Sequence, residues 1–526
     1  MAMTGSSGLW RPGRRSGCLL AMLAGAVHAW ALSPWAASWG AGWPAGLQSV
    51  ALCALIWLLA SSATPGQSGL RAWLYGSVWL IGATGWMYVS LHRFGGMPSW
   101  LSALAVYLLC VALSLYLAGA AWAWARWRRH RTGPDALLWA AVWLLAELAR
   151  AWLFTGFPWG ASGYGLVDSP VVLLAPWLGV YGMGALWAAV LSYLVLCCLR
   201  RGGLALGALL MALVGLVWPM KWVAPAHTAD TGEPLSVALL QSHVPQDEKF
   251  DPQRQIQALR WHADTLLAQQ ADLVVAPETA IPLLPSQLPE GYWEALVNGF
   301  RGGQHALIGV PLGDFEHGYT NSVAGLSKDA AREEPDGFYR YDKHHLVPFG
   351  EFIPWGFRWF VALMNMPLGD FSRGPLQAPA FGVQGQRVAP TICYEDLFGE
   401  EIAARFVDPA RAPTLLANVS NLAWFGESVA IHQHLQIARL RSLEFQLPTV
   451  RATNTGATVV IDHLGRVAAA LAPNTRGVLQ AQVQGRSGVT PFAWWAGRWG
   501  LMPLALFGLI VVLCAALWPR RTPDRA

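Results

Sequence analysis

The stretch Thr391-Ile392-Cys393-Tyr394-Glu395-Asp396 places one cysteine where a predicted strand passes into acidic sequence. The strand is predicted from the β-prone run 387–392. The chain has seven cysteines, and the six others lie in long apolar segments, so Cys393 has no disulfide partner in the polar part of the chain. A lone thiol at a strand end, followed by carboxylates, is a candidate nucleophile. Taken by itself, a free cysteine is more often a small buried hydrophobic residue. Other motifs of the chain must therefore decide whether Cys393 is a nucleophile or a core residue.

The composition is that of a membrane protein with a water-soluble part. Apolar residues make up 54% of the chain and charged residues only 13%, whereas an ordinary soluble domain has roughly 25% charged residues. The formal net charge of +5 comes largely from arginines beside apolar runs, which indicates membrane topology and not nucleic-acid binding. Eight such runs are long enough to cross ~30 Å of hydrocarbon as helices: 18–37, 45–61, 72–91, 100–124, 136–155, 176–198, 203–220 and 494–518.

The arginines beside these runs predict the orientation of the chain. If the runs cross the membrane in alternating directions, the ends that lie on one side carry nearly all of these arginines: Arg11, Arg14, Arg15, Arg71, Arg126, Arg128, Arg129, Arg131, Arg200, Arg201, Arg520, Arg521 and Arg525. The short loops at the opposite ends contain only Arg93. By the positive-inside rule we expect both termini in the cytoplasm. We therefore predict a seven-span bundle in residues 1–221, an extracytoplasmic domain in 222–490, and an eighth span with a basic cytoplasmic tail in 491–526.

The outward insert has the pattern of one α/β domain. Short apolar or alternating runs predict strands at 235–240, 273–276, 306–310, 320–326, 388–392, 414–419, 449–452, 457–461 and 478–483. Helical patterns lie between them, at 252–267, 289–301, 399–406 and 428–446. Because strands and helices alternate along the whole insert, we expect a single α/β domain.

Two other stretches of the insert carry residues that a cysteine nucleophile requires. Val274-Val275-Ala276-Pro277-Glu278 is an apolar strand that ends in a proline and a carboxylate, and Tyr341-Asp342-Lys343 supplies a lysine. In open α/β sheets, reactive groups gather beyond the carboxyl ends of strands, where Glu278 and Cys393 are expected. Glu278 could take the thiol proton, and Lys343 could stabilise first the thiolate and then an oxyanion. Such acyl transfer through a thioester requires no metal and no cofactor.

Plainer explanations exist for these residues. Glu278 could cap the turn that follows it, and Lys343 could be a solvated surface charge. The pair His344-His345 suggests a metal, but neighbours in an extended run point to opposite sides and no second His/Cys cluster has ligand spacing. We therefore predict no metal site. In the fifth apolar run, Glu147 and Arg150 share one helix face, where a structural ion pair and contact with a lipid headgroup are both open.

The order of these motifs resembles that of a known family. Glu278 after a strand, then Lys343, then Cys393-Tyr394-Glu395 resemble the Glu-Lys-Cys triad of the nitrilase (carbon–nitrogen hydrolase) superfamily. With seven predicted spans before the domain and one after it, the whole chain resembles the bacterial apolipoprotein N-acyltransferases. Further matching stretches are 418–421, 423–426 and 451–456. Two positions depart from the family pattern: Gln241-Ser242-His243 replaces Gln-Gly-Asn, and Leu422 replaces an acidic residue.

The resemblance implies an α-β-β-α sandwich seated on membrane helices in the bacterial inner membrane. It implies that one acyl chain moves from a phospholipid, with phosphatidylethanolamine as the expected donor, onto Cys393 as a thioester. The chain then passes to the α-amine of a diacylglyceryl-modified cysteine at an apolipoprotein N-terminus. In this scheme Glu278 is the general base, and Lys343 with backbone N–H groups stabilises the oxyanion. Supporting roles are implied for Glu351 as an acid near the triad and for Tyr394 and Glu395 as residues that shape the pocket. We expect a monomer.

The apolar, aromatic run 352–368 favours a lipid substrate independently of the resemblance. Prolines and glycine interrupt it, so it would make a poor core helix, although core packing remains an alternative. We predict an arm that dips into the outer leaflet and gates acyl chains toward Cys393. Two other classes stay open: a membrane-tethered amidase acting on a soluble amide, which would not need the arm, and a non-catalytic receptor or transporter with an outward sensing domain.

Overall fold

The computed structural model describes residues 12–201, 225–246, 252–334, 337–361 and 370–518. The N-terminal part is helical, with helices at Arg14–Ala31, Pro34–Ser38, Trp43–Ala60, Pro65–Thr84, Met87–Val89, Ser99–Trp127, Thr132–Trp152 and Ala175–Arg201. Several of these helices have a proline in their first turn, among them those that contain Pro34, Pro44 and Pro65. A proline is tolerated there because the N–H groups of the first turn have no partner inside the helix.

Four helices of the described residues are long and apolar enough to cross a membrane: Trp43–Ala60, Ser99–Trp127, Thr132–Thr155 and Pro170–Leu199. A fifth span results if the pair Pro491–Trp499 and Met502–Leu517, which is bent by 84°, counts as one. The count of eight predicted spans is therefore not confirmed. The predicted span 203–220 lies outside the described residues.

Several predicted spans are broken in the structure, two of them at residues that end helices. The run 18–37 divides into a helix that ends at Ala31 and a short helix that starts at Pro34, because proline lacks the N–H that would continue the first helix. The run 494–518 bends at Gly500, whose φ of 55° lies in the left-handed region that ends helices. Hydropathy alone does not detect such breaks, since the apolar character continues across them.

The described part after residue 225 contains three sheets. Its strands are β1 (Thr228–Asp230), β2 (Leu235–Gln241), β3 (Leu273–Val275), β4 (His305–Asp314), β5 (Gly318–Ser327), β6 (Tyr339–Asp342), β7 (Phe381–Val383), β8 (Gln386–Ile392), β9 (Leu415–Ser420), β10 (Thr449–Thr453), β11 (Val459–Ile461), β12 (Val467–Ala470), β13 (Gly477–Val483) and β14 (Arg486–Gly488). One six-stranded sheet has the order β13-β2-β3-β4-β5-β6, the other has the order β12-β11-β10-β9-β8-β7, and β1 pairs with β14. In each large sheet the central strands run parallel, β2-β3-β4 in the first and β8-β9-β10 in the second.

The two large sheets pack face to face between outer helices, as period-two alternation along the strands requires. On β2, Leu239 joins the core between the sheets, whereas Leu240 faces the outer helices. Each fully buried side chain of this kind contributes about 1.5–3 kcal/mol of transfer free energy. The domain's helices are Pro252–Ala268, Tyr292–Gly299, Ala330–Glu333, Arg358–Val361, Gly399–Ala403 and Ala430–Phe445. The predicted α/β layers are confirmed by this arrangement.

The strands that the sequence did not predict lie at the margins of these sheets. Strands β6, β7 and β12 are edge strands, while β1 and β14 form a separate two-stranded sheet. Their burial is partial or alternating, and β12 is almost entirely exposed. An edge strand pairs on one side only, so it does not need the apolar run by which a central strand is recognised.

The α/β domain rests on one end of the helical bundle through a buried seam. Gln433, on the helix Ala430–Phe445, accepts hydrogen bonds from the indole N–H groups of Trp86 (3.2 Å) and Trp159 (2.7 Å), and it donates to the carbonyl of Ala83 (3.0 Å). The backbone N–H of Val180 donates to the Glu444 carboxylate at 2.8 Å. Directional bonds of this kind fix the domain on the bundle in a specific orientation.

Candidate active site

The three predicted catalytic residues each follow a strand. Glu278 comes after β3, Lys343 directly after β6, and Cys393 directly after β8, so the two sheets of the sandwich both contribute to the site. The Glu278 loop lies close against β4, where a Cβ atom at Gly309 would stand 2.4 Å from the carbonyl oxygen of Pro277. Only glycine allows this approach, and the glycine thereby helps to position the carboxylate.

Lys343 lies in a buried cluster with two carboxylates. Its Nζ is 2.8 Å from Glu351 Oε1 and 3.6 Å from Glu278 Oε1, and its side chain is 1% exposed. The amide of Asn321 donates to both carboxylates, at 2.8 Å to Glu278 and 2.6 Å to Glu351. The other oxygen of Glu278 accepts the backbone N–H of Asn421 at 2.9 Å. The structure thus joins Glu278, Lys343 and Glu351 in one hydrogen-bonded group.

The charge state of Lys343 follows from this environment. Burial alone lowers the pKa of its ammonium group, but the carboxylates of Glu351 and then Glu278 outweigh burial and raise the pKa above its ordinary value. The ammonium therefore stays protonated across the physiological range. A fixed positive charge at this place suits the stabilisation of a developing oxyanion.

Cys393 is partly buried and has a strained backbone. Its φ of 51° is in the left-handed region, which costs a non-glycine residue of order 1–3 kcal/mol. Burial, and then the negative charge of Glu278, raise the pKa of the thiol well above its ordinary value, and the Lys343 ammonium opposes this rise. The resting sulfur is therefore a protonated thiol, so its attack on a carbonyl carbon requires a base that takes the proton.

Glu395 connects the two strand ends that carry the lysine and the cysteine. Its carboxylate accepts four hydrogen bonds: from the Tyr341 hydroxyl and the Ile392 N–H, both at 2.7 Å, and from the N–H groups of His344 (2.7 Å) and His345 (3.2 Å). The residue is 4% exposed. These four hydrogen bonds join the ends of β6 and β8. Glu395 would therefore contribute to the predicted pocket by holding the backbone at these two strand ends.

Tyr394 is directed toward the helical bundle. Its hydroxyl donates to the carbonyl of Gly156 at 3.0 Å, and its ring packs at 5.3 Å from the ring of Phe398. The preceding residue of the same bundle loop, Thr155, accepts a hydrogen bond through its carbonyl from His345 Nε2 at 3.1 Å. These contacts anchor the turn after Cys393 and the segment after Lys343 on the bundle, and the role predicted for Tyr394 in shaping a pocket stays a prediction.

Sequence reasoning missed several residues around the triad. Asn321 lies within a predicted strand and has no local feature that marks it as a carboxylate partner. Behind Cys393, the fully buried His434 contacts the Cys393 carbonyl, and the buried guanidinium of Arg451 lies next to that ring. Arg451 belongs to the stretch 451–456 that carried the family resemblance, so that match was the available signal for it.

The two departures from the family pattern lie beside the triad without touching it. Ser242 donates to the Asn454 amide oxygen at 2.8 Å, and the backbone N–H of His243 donates to the carbonyl of Asn454 at 2.9 Å. Leu422 is 1% exposed and packs near Gly456. A cleft next to these residues is lined by Ser242, Val244, Arg254, Ala258, His262, Glu278, Thr279, Ala280, Pro282 and Asn454.

The adjacent histidines have separate partners. His344 Nδ1 bonds the carbonyl of Gly374 at 2.8 Å, while His345 Nδ1 lies 2.9 Å from Glu401 Oε1. Within the ranges that the structure describes, no group of three or more His, Cys, Asp or Glu side chains could hold a metal ion.

The polar pair of the fifth apolar run lies inside the bundle. Glu147 and Arg150 are 4.0 Å apart, and Glu147 accepts the backbone N–H of Ser162 at 2.7 Å. Arg150 in turn donates to the carbonyl of Trp159 at 3.2 Å. Because both side chains are bonded to the loop that follows their helix, these contacts favour the structural interpretation of the pair.

Comparison with known proteins gives matches along most of the chain. The family model "Apolipoprotein N-acyltransferase N-terminal domain" matches residues 24–194, and the model "Carbon-nitrogen hydrolase" matches residues 236–491. The chain is 48% identical over 512 residues to apolipoprotein N-acyltransferase of Verminephrobacter eiseniae, covering 90% of this chain and 94% of that protein. It is 43% identical over 511 residues to the enzyme of the same name from Ralstonia nicotianae, covering 96% and 94%.

A solved structure is similar to part of the chain. The crystal structure of a carbon-nitrogen hydrolase from Helicobacter pylori G27 covers 52% of this chain and 94% of its own, with 16% sequence identity and a TM-score of 0.35.

Proposed function

The chain belongs to the apolipoprotein N-acyltransferase family, and we propose that Cys393 carries the acyl group during its transfer. Members of this family use a lipid donor and a lipoprotein acceptor, and the chain is a bacterial inner-membrane acyltransferase of lipoprotein maturation. The observation that carries the residue assignment is the buried Glu278–Lys343–Glu351 group, whose charges act on the thiol of Cys393. A base, a fixed cation and a sulfur nucleophile are the groups that acyl transfer through a thioester requires.

In the first step, Glu278 takes the proton from Cys393 as Sγ attacks the ester carbonyl carbon of the phospholipid. The carbonyl oxygen becomes an oxyanion, which the Lys343 ammonium and backbone N–H groups stabilise. The tetrahedral intermediate collapses, the C–O bond breaks, and the lysophospholipid oxygen leaves with the proton held by Glu278. The products are an acyl thioester on Cys393 and a lysophospholipid, and Glu278 is again ionised.

In the second step, the α-amine of the diacylglyceryl-modified cysteine attacks the thioester carbon. Glu278 takes a proton from the amine, and the same cation and N–H groups stabilise the second oxyanion. The C–S bond then breaks, the sulfur takes back a proton, and an amide forms. Glu351 is the closer partner of the Lys343 ammonium, at 2.8 Å against 3.6 Å for Glu278. We therefore assign Glu351 to holding the lysine, which leaves Glu278 to carry the proton.

Exposed aromatic side chains beside the site support a lipid donor. In the described part of the run 352–368, Trp355 is 98% exposed, Trp359 64% and Phe357 42%. Large aromatic side chains at the surface of a membrane protein are typical of segments that enter the lipid interface. Residues 362–368 of the predicted arm lie outside the described ranges. We propose phosphatidylethanolamine as the donor, and a monomer as the active unit.

The proposed topology has eight spans, with the catalytic domain 222–490 in the periplasm and both termini in the cytoplasm. It is supported by the positions of two helices of the bundle. In Pro65–Thr84, Arg71 lies near the start, while Trp86 just past the end contacts the domain. In Thr132–Trp152, Arg131 precedes the start, and Thr155 beyond the end bonds His345 of the domain. The arginines and the domain contacts are thus separated by about 20 Å of helix in the first case and about 30 Å in the second.

Intact-mass measurement of the purified protein after incubation with phosphatidylethanolamine vesicles tests this proposal. We expect a fatty acyl adduct that maps to Cys393, is released by hydroxylamine, and disappears when a diacylglyceryl-cysteine peptide is added. The Cys393→Ala variant should form no adduct and should transfer no acyl chain. Full transfer by wild-type enzyme without any acyl-enzyme in rapid-quench samples would contradict a covalent mechanism.

Acylation by a soluble thioester, which needs no contact with a lipid surface, tests whether the aromatic residues serve lipid access or the reaction itself. The double variant Trp355→Ser, Trp359→Ser should slow acylation by vesicles while leaving acylation by a short-chain soluble thioester near the wild-type rate. An equal decrease with both donors would contradict an arm that serves lipid access. Release of ammonia from soluble amides at a comparable rate would favour the tethered-amidase alternative.

A further inference from the structure

A buried polar chain begins at the backbone carbonyl of Cys393 and consists of His434, Arg451 and Asp396. His434, on the helix Ala430–Phe445, lies 3.1 Å through Nε2 from the backbone carbonyl oxygen of Cys393. Its other ring nitrogen, Nδ1, contacts Nη2 of Arg451. Arg451 is fully buried, as is His434, and its Nη1 is 3.8 Å from Asp396. None of these side chains has a part in the proposed proton transfers.

The partners of the His434 ring determine where its proton lies. A carbonyl oxygen only accepts hydrogen bonds, so Nε2 must carry the proton that is donated to Cys393. A guanidinium only donates, so Nδ1 must be unprotonated in order to accept from Arg451. The ring is therefore neutral and has a single tautomer. Burial, and then the positive charge of Arg451, also hold the pKa of His434 well below its ordinary value.

The bond to Cys393 acts on a backbone that would not keep its conformation by itself. The φ of Cys393 is 51°, and residues with a side chain occupy that region only when their surroundings hold them there. A donor on the Cys393 carbonyl fixes the peptide plane that follows the nucleophile, and with it the direction of the Cα–Cβ bond. The hydrogen bond from His434 therefore determines where the sulfur of Cys393 lies relative to Glu278 and Lys343, which follow strands of the other sheet.

The ring itself is positioned from the membrane side. The Trp159 ring, in the outer loop of the bundle, stacks on His434 with centroids 5.6 Å apart and an interplanar angle of 29°. The preceding residue, Gln433, is bonded to Trp86 and Trp159. The position of the donor therefore depends on the seating of the domain on the bundle as well as on the domain's own packing.

We propose that His434 is a positioning residue for the nucleophile, which holds Cys393 in its left-handed conformation through the carbonyl while Arg451 fixes the ring tautomer. This inference rests on the proposed role of Cys393 and adds to it a residue that touches neither substrate nor thiol proton. Misplacement of a reacting atom by about 1 Å lowers a rate on the order of 100-fold. Loss of this one donor should therefore decrease the rate of the chemical step without affecting lipid binding.

The pair His434→Gln and His434→Asn tests the proposal. Among amide side chains, glutamine reaches about as far as Nε2 and supplies an N–H to the Cys393 carbonyl, whereas asparagine reaches only as far as Nδ1. The readout is the single-turnover rate at which acyl-Cys393 forms from phosphatidylethanolamine vesicles, measured by intact mass at several lipid concentrations. We expect the asparagine variant to be slower by about 100-fold at saturating lipid, with an unchanged half-saturating lipid concentration, and the glutamine variant to regain most of that rate.

His432→Asn is the matched control, since His432 lies two residues away on the same helix and its Nε2 is 3.4 Å from Gln436. It should acylate at the wild-type rate. Thermal unfolding of all variants in the same detergent shows whether each is folded, and acylation of Cys393 by a small soluble thioester provides a second rate. Equal rates for the asparagine and glutamine variants, or a change confined to the half-saturating lipid concentration, would overturn the proposal. A wild-type protein that forms no thioester would instead refute the proposed function.

Discussion

Cys393 lies between two buried polar clusters that differ in how their protons are arranged. The front cluster consists of Glu278, Lys343, Glu351 and Asn321, and the rear cluster of His434, Arg451 and Asp396. In the front cluster the carboxylates of Glu278 and Glu351 share the Lys343 ammonium. When Glu278 takes up a proton, the ammonium keeps its closer carboxylate partner, Glu351. In the rear cluster the histidine has one allowed tautomer, and protonation would place a second cation beside Arg451.

The two clusters therefore have different tasks: the front cluster serves proton transfer, and the rear cluster holds the geometry of the site. Groups that exchange protons during a reaction need alternative partners, which the front cluster provides. Groups that hold a strained backbone need a single arrangement, which the rear cluster provides. Substitutions in the front cluster should therefore change rates and their pH dependence. Substitutions in the rear cluster should lower the rate by misplacing the sulfur and should leave its pH dependence unchanged, and substitution of Glu395, which holds the same turn, should lower stability.

The largest effect is expected for Glu278→Gln. The amide cannot take the thiol proton, and general-base catalysis typically contributes about 10²–10⁴-fold. The rate of acyl-Cys393 formation, followed by intact mass, should therefore decrease by about 10³-fold in protein that scanning fluorimetry shows to be folded. Glu294→Gln on the exposed side of the helix Tyr292–Gly299 is the control. Wild-type rates for Glu278→Gln would remove the front cluster from the chemistry.

Glu351→Gln should have a smaller effect and a different signature. The base remains, but Lys343 loses its 2.8 Å partner, and a hydrogen bond to a charged group contributes about 1.5–3 kcal/mol. We expect a decrease in rate of about tenfold. Because Glu351 raises the pKa of Lys343, its removal lowers that pKa, so activity should be lost at a lower pH on the alkaline side. A pH–rate profile identical in shape to that of the wild type would contradict this assignment.

Glu395→Gln should decrease stability more than it changes the pH profile. The amide can accept only part of the four hydrogen bonds that the carboxylate accepts, and its NH₂ group would face backbone donors. Leaving such buried donors unpaired costs about 1–3 kcal/mol. We expect a lower unfolding midpoint in detergent, whereas Glu316→Gln, on the exposed loop before β5, should leave it unchanged. Equal midpoints for both variants would show that the hydrogen bonds of the Glu395 carboxylate do not hold the ends of β6 and β8 together.

The last effect concerns stability alone, at another carboxyl group outside both clusters. Burial, and then the neighbouring Glu401, raise the pKa of Glu400 from 4.5 to about 8. A carboxyl whose pKa is higher in the folded state contributes stability that is fully present below the unfolded pKa and is lost as the pH rises to the folded pKa. The unfolding midpoint should therefore fall as the pH rises from 4.5 to about 8, and Glu400→Gln should flatten this fall. The same slope in both proteins would contradict the assignment.

The sequence anticipated some parts of this site much better than others. Glu278, Lys343 and Cys393 each follow a predicted strand or a recognisable motif, and the structure joins Glu278 and Lys343 directly. Asn321 and His434 gave no local signal, because the carboxylates that Asn321 bonds and the carbonyl that His434 contacts lie 30 or more positions away in the chain. The carboxylate of Glu395, predicted from the resemblance to shape the pocket, turned out to bond four groups of the protein itself.

By itself, the sequence determined the apolar runs, the central strands and the order of the triad motifs. These are properties of neighbouring residues: hydropathy over a span, period-two alternation along a strand, and the residue that follows a strand end. Tertiary structure alone decided the edge strands, the seam between bundle and domain, and the donor behind Cys393. Each of these depends on a contact between distant segments, and such a contact leaves no periodic trace in either segment.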